Sequence, residues 1–77
     1  MSQVIIYTTP TCRYCTLAKE YFRTKGVRFE EIDVREDPAA AKALIRRTGE
    51  YGVPQIDING NMIIGFDKGA IDRELEI

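Results

Sequence analysis

Histidine and tryptophan are absent from the 77 residues, and cysteine occurs only twice. Without histidine or a second cysteine pair, a closed tetrahedral zinc site would lack half its ligands, so a metal would need carboxylates or a second chain. No apolar run is long enough to span a bilayer. The Met1-Ser2-Gln3 start leads straight into a strand pattern without the charged, apolar and cleavage regions of a signal peptide, so a cytoplasmic location and no membrane association are expected. An excess of either charge is missing too. Eleven basic against twelve acidic side chains leave a net charge of −1, which provides no global field for nucleic acid or an anionic surface. Repeats, linkers and low-complexity stretches are not found, and the length leaves no room for a second core, so residues 1–77 read as one domain, expected to act as a monomer.

Thr11-Cys12-Arg13-Tyr14-Cys15 holds both cysteines, between an apolar run and a helical pattern. Val4 to Tyr7 is β-branched and aromatic, which suits a buried strand, and Thr8, Thr9, Pro10 and Thr11 break it. A helix beginning at the motif would set the sulfur of Cys12 against unpaired backbone N–H groups and the positive end of the helix dipole, both of which stabilise thiolate over thiol. Cys12 is then the nucleophile of a redox-active dithiol. Cys15, one turn further in, is close enough to form a disulfide with it and to resolve a mixed disulfide. Two other readings of the pair stand beside this one: inert packing, and an inter-chain metal or iron–sulfur site.

Leu17, Ala18, Tyr21 and Phe22 recur at helical spacing with Lys19, Glu20 and Arg23 on the other side, so a helix over residues 13–25 with that apolar stripe in the core is expected, stopped by Gly26. Val27 to Val34 reads as a second strand, and its Glu30-Glu31 doublet suggests an edge position. A strand, helix and strand in this order form a right-handed βαβ unit with parallel strands. Asp37-Pro38 starts a helix that buries Ala41, Leu44 and Ile45 and ends at Gly49. Arg46-Arg47 near its end complements the helix dipole, with a ligand carboxylate as a second use. Asn59-Gly60 between Ile56/Ile58 and Met62–Ile64 signals a type I′ hairpin, and Asp67 caps a last helix that turns Ile71 and Leu75 inward. The order β-α-β-α-β-β-α makes an α/β fold with a four-stranded mixed sheet flanked by three helices, the dithiol lying at the C-terminal end of the first strand.

Ile6-Tyr7-Thr8, Cys12-Arg13-Tyr14-Cys15, Lys25-Gly26-Val27, Val53-Pro54-Gln55 and Gly65 through Asp67, in this order over nearly the whole chain, resemble the thioredoxin superfamily and within it the glutaredoxins. The resemblance implies a thioredoxin-like fold, Cys12 as attacking and Cys15 as resolving cysteine, and Pro54 as the family's cis-proline; an ordinary loop-to-strand proline is the second reading of Pro54. It also implies that no cofactor is bound and that glutathione is the expected co-substrate, with a flavoprotein disulfide reductase as the alternative donor, and that Arg13, Tyr14, Val53, Pro54 and Gly65-Phe66-Asp67 form the binding site. Val53 would lend its backbone N–H and C=O in the manner of an added strand, and Asp67 with the last helix would meet the tripeptide's charged ends.

Several positions depart from the family pattern. Thr9 stands where glutaredoxins commonly carry lysine, Gly52 where they carry threonine, and Ile64-Gly65 where they carry Gly-Gly; each alters a feature that favours glutathione. Gly65-Phe66 instead resembles the glutaredoxin-like redoxins that serve ribonucleotide reductase and are recharged by the flavoprotein thioredoxin reductase. Arg13 replaces the usual proline, and its charge beside Cys12 is expected to favour the thiolate and the reduced state. The expected function is thiol–disulfide exchange on disulfide-containing proteins or glutathione mixed disulfides.

Overall fold

Three residues of the first apolar run turn the same way: Val4, Ile6 and Thr8 are buried in strand β1 (Val4–Thr8), while Ile5 and Tyr7 are half-covered on its other face. This is the alternation that a strand's two-residue period imposes. The computed structural model describes residues 2–77; Met1, part of the start considered above, lies outside the described residues. From β1 the chain runs through helix α1 (Arg13–Thr24), strand β2 (Glu30–Asp33), helix α2 (Pro38–Thr48), strands β3 (Gln55–Ile58) and β4 (Asn61–Ile64), and helix α3 (Lys68–Leu75). The sheet order is β2-β1-β3-β4. β1 pairs with β2 in parallel, Tyr7 opposite Ile32, and with β3 antiparallel, Ile6 opposite Ile56. The expected mixed sheet, with β2 at an edge, is present.

Local signals placed most boundaries. Asp37 caps α2 by accepting the Ala40 N–H at 3.0 Å, with Pro38 as first helical residue, and Gly49 ends it at φ 75°. Asn59 and Gly60 both have positive φ, as a type I′ turn demands. Asp67 caps α3 through the Ala70 N–H at 3.1 Å.

Two expectations are corrected. Strand β2 starts at Glu30 rather than Val27, because the Val27 N–H closes the end of α1 on the Phe22 carbonyl at 2.8 Å; Val27 and Phe29 therefore pack against the core from the connecting segment. Leu17 is not core. The buried side of α1 is Cys15, Ala18 and Phe22, which leaves Leu17 at the rim with 36% of its surface exposed. In α2 only Leu44 is fully buried, and Ala41 and Ile45 are half-covered.

Val4, Ile6, Ile56, Ile58 and Ile63 from one face of the sheet pack with Ala18 and Phe22 of α1 and Ile71 of α3. Tyr21 ties the two helices together. Its hydroxyl donates to Asp72, its ring meets Phe66 edge-on at 5.9 Å, and the hydrogen bond to Asp72, with burial and the Asp72 charge behind it, raises the phenol's pKa above its ordinary value. α2 lies over the other face. There Arg47 donates to Asp57 at 2.8 Å and to the Gly60 carbonyl at 2.7 Å, while Asp57 accepts the Gly60 N–H at 2.8 Å. Arg47 thus finds its carboxylate within the chain, bracing the hairpin.

Candidate functional site

Pro10 and Thr11 end the first strand's run, and Cys12 then takes an extended conformation (φ −91°, ψ 111°) as the N-cap of α1. Its Sγ accepts the Cys15 N–H at 3.1 Å, so the sulfur sits where an N-cap oxygen would sit. Free backbone donors and the dipole favour negative charge there. Cys12 and Cys15 are joined by a disulfide, with Cα atoms 5.2 Å apart. The two sulfurs differ in access. Cys15 retains 1% of its surface, while Cys12 is only half-buried, so Cys12 is the more accessible sulfur.

Across from Cys12 lies the segment before β3. The carbonyl oxygen of Val53 is 3.6 Å from Cys12 Sγ, and the Val53–Pro54 bond is cis. The Gly65 N–H donates to the Pro54 carbonyl at 2.9 Å, which draws the end of β4 and the start of α3 to the same place. Gly65 has φ 80°, a left-handed conformation that a side chain would strain. The chain therefore brings Cys12, Val53, Pro54 and Gly65 together. Phe66 turns its ring onto Tyr21 and the core, and Asp67 spends one carboxylate oxygen on the cap of α3. Tyr14, 61% exposed, and Arg13, also exposed, project from the first turn of α1, and Arg13 takes no part in an ion pair among the described residues. No group of three or more His, Cys, Asp or Glu side chains among the described residues is arranged to hold a metal ion.

Behind the dithiol is a polar cluster that the sequence reading missed. Thr8, 1% exposed, donates its hydroxyl to Glu31 Oε2 at 2.9 Å, and the Lys19 ammonium donates to the same oxygen at 2.8 Å. Lys19 stands one turn beyond Cys15 on α1, so the cluster joins α1, β1 and β2. The signal was present in the alternation: Thr8 falls on the inward register of Val4 and Ile6, where a hydroxyl needs a partner. The hydrogen bond from Lys19 lowers the Glu31 pKa; burial opposes this, and the Thr8 hydroxyl and the Lys19 and Arg23 charges reinforce it. A carboxylate whose pKa is lowered by folding adds stability above its unfolded value, here the ordinary 4.5, and loses it as pH falls through the folded value. Glu31 is 39% exposed on its side chain, so solvent screening holds the effect to about 1 kcal/mol or less. Urea unfolding of wild type and Glu31→Gln is expected to show a wild-type advantage at pH 7 that disappears well below pH 4.5; an advantage that persists there would reject the assignment. Gln55, a second residue missed, lies buried directly after Pro54 and bonds back to the loop that carries Val53.

Comparison with known proteins agrees with this geometry. The Glutaredoxin family matches residues 4–63. The chain is 42% identical over 83 residues to glutaredoxin 3 of Escherichia coli, covering 99% of this chain and all of that one. It is 39% identical over 71 residues to an uncharacterized glutaredoxin-like 8.6 kDa protein in the rubredoxin operon of Clostridium pasteurianum, covering 92% and 95% of the two chains. Among solved structures, the glutaredoxin-like protein NrdH-redoxin from Escherichia coli, described as having a thioredoxin-like activity profile, superposes with a TM-score of 0.84 at 32% identity over 92% of each chain. With a family match over most of its length, a thioredoxin-like fold and a Cys12–Cys15 pair at a helix start, the chain belongs to the glutaredoxin family and is a thiol–disulfide oxidoreductase.

Proposed function

We propose that the protein reduces disulfides of partner proteins in two exchange steps and is itself recharged by a flavoprotein disulfide reductase. The Cys12 thiolate attacks one sulfur of the partner's disulfide, forming a mixed disulfide and releasing the other sulfur as a thiolate, which takes a proton from water. Cys15, losing its proton, then attacks Cys12 Sγ. The mixed disulfide breaks, the Cys12–Cys15 disulfide forms, and the partner leaves as a dithiol with two electrons gained. The observation that carries this reading is the unequal access of the two sulfurs, Cys12 half-buried at the helix cap and Cys15 1% exposed behind it.

The choice of donor rests on the rim of the site. Thr9 supplies no cation, Gly52 no hydroxyl, and Ile64, 48% exposed, sets an apolar branch beside Gly65. A small charged tripeptide finds few polar anchors on such a rim, whereas a protein surface covers it well. The likeness to NrdH-redoxin supports the same reading. Glutathione is the competing co-substrate. In a coupled assay, NADPH oxidation is expected with thioredoxin reductase alone and not with glutathione plus its reductase. Turnover with glutathione only would overturn the donor, and turnover with neither would overturn the proposed recharging.

A further inference from the structure

Gln55 plays no part in the exchange chemistry, yet it is wholly buried, at 0% exposure. Its Nε2 donates to the Glu50 carbonyl at 3.1 Å and to the Gly52 carbonyl at 2.9 Å, and its Oε1 is buried without a partner. The neighbours set that orientation. Turned over, the amide would press Oε1 against two carbonyl oxygens and leave its NH2 unpaired. An unpaired buried acceptor is destabilising, and the amide offsets that cost only through the two carbonyls it holds. What the glutamine contributes here is its grip on these two carbonyls.

The grip on Gly52 has a geometric consequence. Among the described residues Val53–Pro54 is the only cis peptide, so the Gly52–Val53 peptide is trans, and in a trans peptide C=O and N–H point in opposite directions. With the Gly52 carbonyl drawn inward to Gln55, the Val53 N–H points away from it. That N–H has no hydrogen-bond partner among the described residues. The carbonyl of the same residue stands 3.6 Å from Cys12 Sγ. A free backbone donor is thus held within one residue of the reactive sulfur, and its aim depends on a side chain three positions from Gly52.

We infer that Gln55 is a positioning residue for the substrate: by holding the Gly52 carbonyl inward, it aims the Val53 N–H at the main chain beside the partner's disulfide. The site then favours disulfides set in extended polypeptide over small disulfides that lack a peptide carbonyl. This rests on the reading of Cys12 as the attacking sulfur. The test uses Gln55→Met, which keeps the volume and removes both donors, and two probes: a short peptide closed by one disulfide, and bis(2-hydroxyethyl) disulfide, which has no peptide group. Oxidation of the pre-reduced variant by the peptide is expected to slow by about five- to tenfold, the worth of one hydrogen bond, with the small disulfide unaffected. Equal slowing with both probes, or with neither, would overturn the inference.

A measurement that leaves Gln55 in place covers the case in which the Gln55→Met variant folds poorly. The Val53 amide is expected to exchange rapidly with solvent in the free protein and slowly once Cys15→Ser is trapped as a mixed disulfide with the peptide. Protection already present in the free protein would overturn the inference. If neither disulfide oxidises the wild-type protein, the dithiol reading itself fails and takes this one with it. Oxidation by both with an unchanged ratio in Gln55→Met removes only the role of Gln55.

Discussion

Cys12→Ser is expected to reduce no protein disulfide above the uncatalysed background, whereas Cys15→Ser still captures a disulfide at Cys12 and cannot release it. The hydroxyl of serine has neither the acidity nor the nucleophilicity of the thiol, and the buried Cys15, 1% exposed, cannot replace a sulfur that stands at the surface. In Cys15→Ser the first exchange is untouched. The second is lost because no other cysteine lies within the chain, so the mixed disulfide accumulates. Mass spectrometry after mixing each reduced variant with an oxidised peptide reads this directly: one adduct on Cys12 in Cys15→Ser, and none in Cys12→Ser. An adduct on Cys15 in the wild-type protein, with none on Cys12, would reverse the roles.

The same Cys15→Ser protein tests the helix cap. The rate of its alkylation by iodoacetamide is expected to reach half its maximum below the free-cysteine value of about 8.5, because the sulfur sits at the start of α1 against free backbone donors. Ionisation at or above that value would remove the cap from the mechanism and leave exposure as the only difference between the two cysteines.

Phe22→Ala carries the largest expected loss of stability. The ring is completely buried, 5.6 Å from Phe29 and 6.4 Å from Tyr21 between centroids, and it joins the cluster through which α1 and α3 meet the sheet. Emptying such a site costs about 3–5 kcal/mol. A domain of 77 residues has roughly 4–12 kcal/mol in all, so the variant is expected to be marginally folded at room temperature, with a midpoint lowered by tens of degrees. Leu17→Ala is the paired control. Its periodicity resembles that of the core residues, yet at 36% exposure its truncation should cost about 1 kcal/mol or less. Thermal unfolding followed by circular dichroism separates the two. Equal losses would mean that the buried side of α1 is the broader stripe its sequence suggests.

The elements were legible because their signals are local. Asp37-Pro38, Gly49 and Asn59-Gly60 act through the backbone within four residues of themselves, and each marks the boundary it predicts. The Cys12–Cys15 spacing at a strand-to-helix junction identified the chemistry for the same reason: a cap and one helical turn suffice to place both sulfurs. Tertiary structure decided what depends on distant partners. The helical period marked Leu17 and Ala18 alike as apolar, and the docking of α1 on the sheet decided that one is core and the other rim. Glu31 reads as part of an acidic edge until Thr8, 23 positions away, and Lys19 converge on it, and the Val53 carbonyl meets Cys12 across 41 positions. In sequence Gln55 reads only as the polar residue that follows Val53-Pro54, because the carbonyls it holds are brought to it by the turn of chain between α2 and β3. Periodicity and caps report the environment of a residue along its own element; which polar groups finish one another's hydrogen bonds is settled by packing, when burial removes the water that would otherwise have served them.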